Sequence, residues 1–489
     1  MREITVDLFA GGGGASAGIE QTLGLPVDVA INHDPVAIAI HKINHPKTEH
    51  WTQDAWKVPP KHATKGRPVG LLWASPDCTH HSKAKGGPPK RDLKRRDMAW
   101  IIEQWARDVK PRVIIMENVE EFRYWGPLDS KGNIIQSQKG ATFKAFVTRL
   151  RRLGYSVQYK ELRACDYGAP TSRKRLFLIA RCDKQPIRWP KPTHGPGTSK
   201  PYRTAAECID FTLPCPSIFD TTQDIKRKHG VLARRPLAKK TLQRIANGVQ
   251  RFVLNSPDPF ILSIDHQGAQ SSNHTHSVQK LLGTISSKNR HAVVYPRLES
   301  AFLAKHFGGV TGQRIDKPSG AVTTKDHHSL VTSHLLHLRN NCDAKDTNSP
   351  LPTITAGGGH AGEIRAFLTK YYGCGDGQQL DEPAHTIVSR DRMGLVTVNI
   401  QGEPYIITDI GMRMLTPREL FRAQGFSDDY IIDQKPDGNR VTKSEQVRLC
   451  GNSVPPHFAK CLTQENCTLQ EYENQPERNS LLSLLETGA

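Results

Sequence analysis

Four short stretches carry side chains whose types and spacing could do chemistry. Cys78 lies in Ser75-Pro76-Asp77-Cys78-Thr79-His80-His81-Ser82, directly after the apolar run Leu71–Ala74. A cysteine at the carboxyl end of a buried strand and near basic groups would ionise readily, and the thiolate is the nucleophilic form. His80 and His81 raise a metal site as an alternative, but the spacing offers no obvious fourth ligand, so no metal is expected. Glu117, in Met116-Glu117-Asn118-Val119, leaves a second apolar run. Held partly protonated by desolvation in a cleft, it would be a general acid; a surface glutamate or helix cap is the plainer alternative. Arg173 and Arg175 alternate ahead of Leu176–Ala180, share one face of an extended segment, and would suit an acceptor oxygen and a phosphate. In Asp7-Leu8-Phe9-Ala10-Gly11-Gly12-Gly13-Gly14, the glycines would let backbone approach a ligand, and Phe9 could stack on a flat ring. The third glycine of a dinucleotide fingerprint is missing, and a structural turn alone would also explain the run.

Elements able to position these groups alternate in type. Ile4–Phe9, Val27–Ile31, Leu71–Ala74, Val113–Met116 and Leu176–Ala180 read as strands, and Ala15–Leu23, Pro35–Asn44 and Met98–Val109 as helices. Such alternation implies a mostly parallel sheet covered on both faces, with ligands at the carboxyl ends of its strands. Further on, Thr416, Pro417 and Glu419 have the spacing of a helix N-cap, first residue and capping-box partner.

Residues 186–408 differ: they are rich in Pro, Gly, Thr, Ser and His and hold a degenerate repeat. Ile285, Val322, Ile354 and Ile387 occupy matching positions, and FLAK from Phe302 matches FLTK from Phe367. Each unit reads as strand, loop, strand. Loop residues Lys288, Arg290, Lys325, Arg390 and Arg392 would be either recognition groups or ordinary solvated hairpin tips. The expected organisation is therefore 1–185, a mostly β insert at 186–408, a returning segment at 409–465 and a tail at 466–489.

The chain of 489 residues carries 67 Lys and Arg against 48 Asp and Glu, a formal charge of +19. That surplus suggests a polyanionic partner, and the run Lys90, Arg91, Lys94, Arg95, Arg96 favours nucleic acid over a merely basic soluble protein. Ten cysteines without a CxxC pair argue against a zinc ribbon or disulfide scaffold. No apolar run approaches the length of a membrane span, and the start lacks a secretory profile, so a cytoplasmic location and no membrane partner are expected.

Taken in order, DLFAGGGG, SPDC with Ser82 four residues on, ENV, RxR before a strand, RELFRAQGF and GNSVPP resemble the cytosine-C5 DNA methyltransferase family over about residues 4–180 and 412–462. The repeat region occupies the place of that family's variable target-recognition region. Three positions depart from the family pattern: Asp77 stands where a proline usually precedes the cysteine, Asn32 (with Asp34 nearby) where an acidic residue closes the second strand, and Thr171 where a glutamine opens the arginine block.

The resemblance implies an α/β, Rossmann-like class I methyltransferase domain carrying a large β insert, acting as a monomer on double-stranded DNA. It implies Cys78 as the nucleophile at cytosine C6, Glu117 at ring N3, and Arg175, with Arg173 beside it, at O2. S-adenosylmethionine would lie among Phe9, Gly11, Gly13, Asn32, Asp54, Asn452 and Ser453. The base would be flipped out, with Ser82, Lys83, Lys85 and Arg95 on a basic loop closing over DNA. An RNA substrate, a catalytically decayed DNA-binding protein and transfer of a different group are the competing readings.

Overall fold

A computed structural model describes residues 2–77, 96–130, 132–210, 212–237, 245 and 410–467, and the backbone of the strands named below between 260 and 409. Seven strands build one sheet: β1 (Ile4–Leu8), β2 (Val29–Asn32), β3 (Glu49–Thr52), β4 (Val69–Ala74), β5 (Val113–Asn118), β6 (Ser156–Arg163) and β7 (Lys174–Arg181). Their order is β3-β2-β1-β4-β5-β7-β6. The first five run parallel, and β7 and β6 add an antiparallel end.

The central strands are buried on both faces, so side-chain alternation sorts them into two cores. Leu72, Ala74, Ile114, Met116, Leu176 and Leu178 face one side. There they meet Ile101, Ile102 and Trp105 of one helix (Trp100–Asp108) and Phe143, Phe146 and Leu150 of another (Ala141–Arg152). Leu71, Trp73, Val113, Ile115, Phe177 and Ile179 face the other side. Here the partners are Ala15, Ile19 and Leu23 of helix α1 (Gly14–Leu23) and, from the far end of the chain, Phe458, Ala459 and Leu462 of the helix Pro456–Asn466. Helix α2 (Pro35–Asn44) follows β2 and is capped by Asp34, whose carboxylate accepts from Val36 N and Ala37 N.

Strands β3 and β6, with the helix Ala141–Arg152, were not anticipated from sequence. β3 is an edge strand with no fully buried residue, and β6 is mostly exposed, so neither carries an apolar run. The returning segment does start as expected: Thr416 caps the helix Pro417–Gln424, and Glu419 completes the capping box.

A second sheet contains β8 (Phe260–Leu262), β9 (Thr275–Ser277), β10 (Ala292–Val293), β11 (Phe302–Lys305), β12 (Gln313–Arg314), β13 (His328–His337), β14 (Ala361–Lys370), β15 (Thr397–Ile400) and β16 (Glu403–Met414). Phe302 of β11 and Phe367 of β14 both pair with Val331, on opposite edges of β13. The repeated FLAK and FLTK segments thus hold equivalent registers. Ile285, Val322, Ile354 and Ile387 lie outside the described residues. β16 is tied to the chain leaving the first sheet, through Ile218 N to Ile410 O at 2.8 Å and Met412 N to Pro216 O at 2.8 Å.

Candidate active site

Strand order reverses beside β1: β2 lies on one side of it and β4 on the other. The crevice outside such a switch point is where open α/β sheets take their ligands. The turn after β1 lines it. Phe9 and Gly11 both have positive φ, +67° and +54°, and Gly13 reaches +92° as the N-cap of α1. A Cβ on Gly11 would meet nothing nearer than 3.9 Å, so the turn faces open space there. The N-cap of α1 is Gly13, which offers no capping side chain, while the buried Asp7 carboxyl accepts from Ser16 in the first turn of the helix. The positive end of the helix favours a ligand's anionic group. Phe9 N and Ala10 N donate to Ile31 O, at 2.9 and 3.1 Å, binding the turn to the end of β2.

The residues expected around a cofactor gather on this edge. Asn32 ends β2 opposite Thr52, so Asp54 follows two residues beyond the same register. Asn32 Oδ1 accepts from Asp34 N at 2.9 Å. Asp34, the acidic residue closest to that strand end, is engaged by Arg448 at 2.5 Å, and although burial opposes it, that partner and the helix cap hold its carboxyl below the usual range. The side chain of Asp54 accepts from Trp56 N at 3.1 Å. Ser453 is buried against the turn: a Cβ on Gly14 would fall 2.4 Å from its Oγ. Asn452 beside it is exposed.

Two of the catalytic candidates meet further along the sheet. Glu117 and Arg175 are both buried and form an ion pair, Nε to Oε1 at 3.0 Å, between the end of β5 and the start of β7. Asn118, which sequence reasoning assigned no role, donates from Nδ2 to Pro76 O at 3.1 Å. With Ser75 N donating to Leu8 O at 3.1 Å, this pins the segment leading to residue 78 between the ends of β1 and β5. Asp77 is half-buried there.

Arg173 takes a different course from Arg175. Its Nη1 donates to Gly451 O at 3.0 Å, so it ties the block before β7 to the Gly451-Asn452-Ser453 segment. Cys78, Ser82, Lys83, Lys85, Arg95, Lys288, Arg290, Lys325, Arg390 and Arg392 lie outside the described residues.

A doubly wound sheet with a glycine-rich first turn and an antiparallel last pair defines a Rossmann-like methyltransferase fold, and comparison with known proteins takes the assignment further. The family model described as C-5 cytosine-specific DNA methylase matches residues 4–466, and the chain belongs to that family of DNA cytosine methyltransferases. Among curated proteins it is similar to the type II methyltransferase M.AgeI of Thalassovita gelatinovora, 24% identical over 94% of this chain and 98% of that protein. M.AquIA of a Picosynechococcus strain is 26% identical over 47% of this chain and its own full length. Among solved structures, an S. pombe Dnmt2 methyltransferase is 15% identical, covers 97% of this chain and all of its own, and has a TM-score of 0.44.

The family implies S-adenosylmethionine as methyl donor. Two observations fit it: the glycine N-cap of α1 puts no side chain between the helix start and the amino-acid carboxylate, and the open face at Gly11 leaves room for close backbone approach.

Proposed function

We propose that this protein transfers a methyl group from S-adenosylmethionine to carbon 5 of a flipped-out cytosine in a specific sequence of duplex DNA, with Cys78 as nucleophile. The observation that carries the reading is the buried Glu117–Arg175 pair, on the same sheet edge as the glycine turn and beside the Pro76–Asp77 approach to residue 78. Bound there, the cofactor supplies an electrophilic methyl group. The protein's own side chains do the rest. The Cys78 thiolate adds to C6 and turns the ring into an enamine nucleophilic at C5. Glu117 shares a proton with N3, and Arg175 donates to O2, where negative charge accumulates. Once the methyl is on C5, loss of the C5 proton and elimination of Cys78 restore the aromatic ring.

In this reading Arg173 aligns rather than reacts, since its guanidinium holds the Gly451 carbonyl. Ser82, Lys83, Lys85 and Arg95 would close over the DNA backbone. Lys288, Arg290, Lys325, Arg390 and Arg392 would contact the target duplex. Phe9, Gly11, Gly13, Asn32, Asp54, Asn452 and Ser453 would hold the cofactor.

The test is incubation with labelled S-adenosylmethionine and mixed-sequence duplex, followed by nucleoside analysis. Labelled 5-methylcytosine is expected, and Cys78→Ser should abolish transfer while leaving DNA binding intact. Label appearing only in RNA, or a fully active Cys78→Ser protein, would overturn the proposal.

A further inference from the structure

Beneath the glycine turn lies a hydrogen-bonded chain that no motif marks. The Tyr430 hydroxyl donates to Gly12 O at 2.5 Å. Its oxygen also lies 3.1 Å from His45 Nε2, and His45 Nδ1 lies 2.8 Å from Glu20 Oε2. Tyr430 has a single hydrogen, and the carbonyl of Gly12 can only accept it, so the contact with His45 is made by the tyrosine oxygen as acceptor. Tyr430 and His45 are both buried.

The geometry around the turn makes this contact specific. The peptide unit joining Gly12 to Gly13 is held at both ends: its carbonyl by Tyr430, and its N–H by Ala10 O at 3.1 Å. A Cβ on Gly13 would fall 2.2 Å from the Tyr430 hydroxyl, so glycine and tyrosine fit only together. Tyr430 is itself anchored. Ile431 N and O exchange hydrogen bonds with the Asn44 side chain, both at 2.8 Å, and its ring packs on Phe426 at 4.8 Å.

We propose that Tyr430 is a positioning residue for the cofactor turn: through Gly12 O it fixes the orientation of the peptide that leads into α1, and so aims the first amides of that helix at the cofactor's carboxylate. The assignment rests on the reading that S-adenosylmethionine occupies this turn. His45 and Glu20 act one and two steps behind it. Because the hydroxyl touches only backbone and His45, its removal should loosen the turn without altering the reacting groups at Glu117 and Arg175.

The experiment compares the full chain with its Tyr430→Phe variant, which keeps the ring and deletes one hydrogen bond. Calorimetric titration with S-adenosylmethionine is expected to show about a three- to tenfold weaker Kd, the factor that corresponds to one net hydrogen bond. KM for the cofactor should rise by the same factor, while kcat at saturation changes less than about twofold, because the loss falls on uniform binding. Hydrogen exchange in the peptide spanning residues 9–16, read at the same interval below each protein's melting temperature, should quicken in the variant, and this readout holds even if stability also falls. An unchanged Kd with unchanged exchange would overturn the positioning role, as would a loss confined to kcat. Wild-type protein that methylates DNA yet takes up S-adenosylmethionine without protecting residues 9–16 would show that the cofactor sits elsewhere, which removes the premise as well.

Discussion

Glu117 and Arg175 show how one contact constrains two roles. Both side chains are less than a tenth exposed, and each is the other's counter-charge. A buried pair of this kind is costly to break from one side, because the survivor is left as an uncompensated charge, typically at about 3–5 kcal/mol. Arg175→Ala should therefore lose both transfer and several degrees of melting temperature. Glu117→Gln keeps the shape and removes a proton-sharing group, so transfer should fall about 10²- to 10⁴-fold with DNA binding retained. Melting curves and single-turnover rates on the two variants check the pair; a Glu117→Gln protein with wild-type turnover would remove Glu117 from the chemistry. At this scale much was legible in the sequence. Glu117 and Arg175 each stand where an apolar run meets polar residues, so their position at a strand end follows from the pattern. Asn118 and Tyr430 were not legible, because their partners, Pro76 and Gly12, lie 42 and 418 residues away. The one available signal was general: a buried tyrosine hydroxyl needs a partner.

Between elements, β1, α1, α2 and β3 are cross-linked by polar side chains inside an otherwise apolar layer. Ser16 donates to Asp7 Oδ2 at 2.7 Å, His41 Nε2 lies 2.9 Å from Ser16 Oγ, and His50 Nε2 lies 2.9 Å from His41 Nδ1. Burial pushes the Asp7 carboxyl up to about 7. Burial also holds His41 well below its ordinary value and, with Lys42 and His45, takes His50 down to about 4. The signs are opposed. Between about pH 4 and 7 folded Asp7 keeps a proton that the unfolded chain has lost, so its contribution is present below about pH 4 and is lost as pH rises through 7. The two histidines refuse a proton that the unfolded chain accepts, so their contribution grows as pH rises toward 6.5. Asp7→Asn deletes only the first effect. The stability of the variant relative to wild type should climb across pH 4–7, by at most about 1.4 kcal/mol per pH unit, and level off above 7. Urea unfolding at three pH values tests this, and a difference independent of pH would rule it out. Element positions in this layer followed from periodicity, since β1, α1 and α2 have apolar faces. The edge strands β3 and β6 did not, because a strand with one face in water needs no apolar run to be stable.

Over the whole chain, residues hundreds of positions apart close one core. Phe458 packs its ring at 4.8 Å from Phe177 and 6.0 Å from Tyr167, and a Cβ on Gly18 of α1 would fall 2.2 Å from Pro456 O. The core on one face of the first sheet is therefore completed only after the β-rich region has been synthesised. Charge is distributed on the same scale. Many described acidic groups are engaged locally: Asp28 by Arg2 and Arg67, Glu3 and Asp183 by Arg112, Glu419 by Arg413, and Asp34 by Arg448. Pairs of this kind cancel one for one, so the surplus of +19 remains as a field that polyanions feel at long range. On duplex DNA that field acts by displacing condensed counterions, and the logarithm of affinity falls linearly with the logarithm of salt concentration, by about 0.9 for each phosphate neutralised. With roughly six to ten phosphate contacts, affinity should drop about 10³- to 10⁵-fold between 50 and 200 mM salt. Fluorescence anisotropy on a non-cognate duplex isolates this term, because no base-specific contact contributes. A slope shallower than about −2 would mean that the basic surplus does not face DNA, and that affinity comes instead from uncharged contacts in the β-rich region.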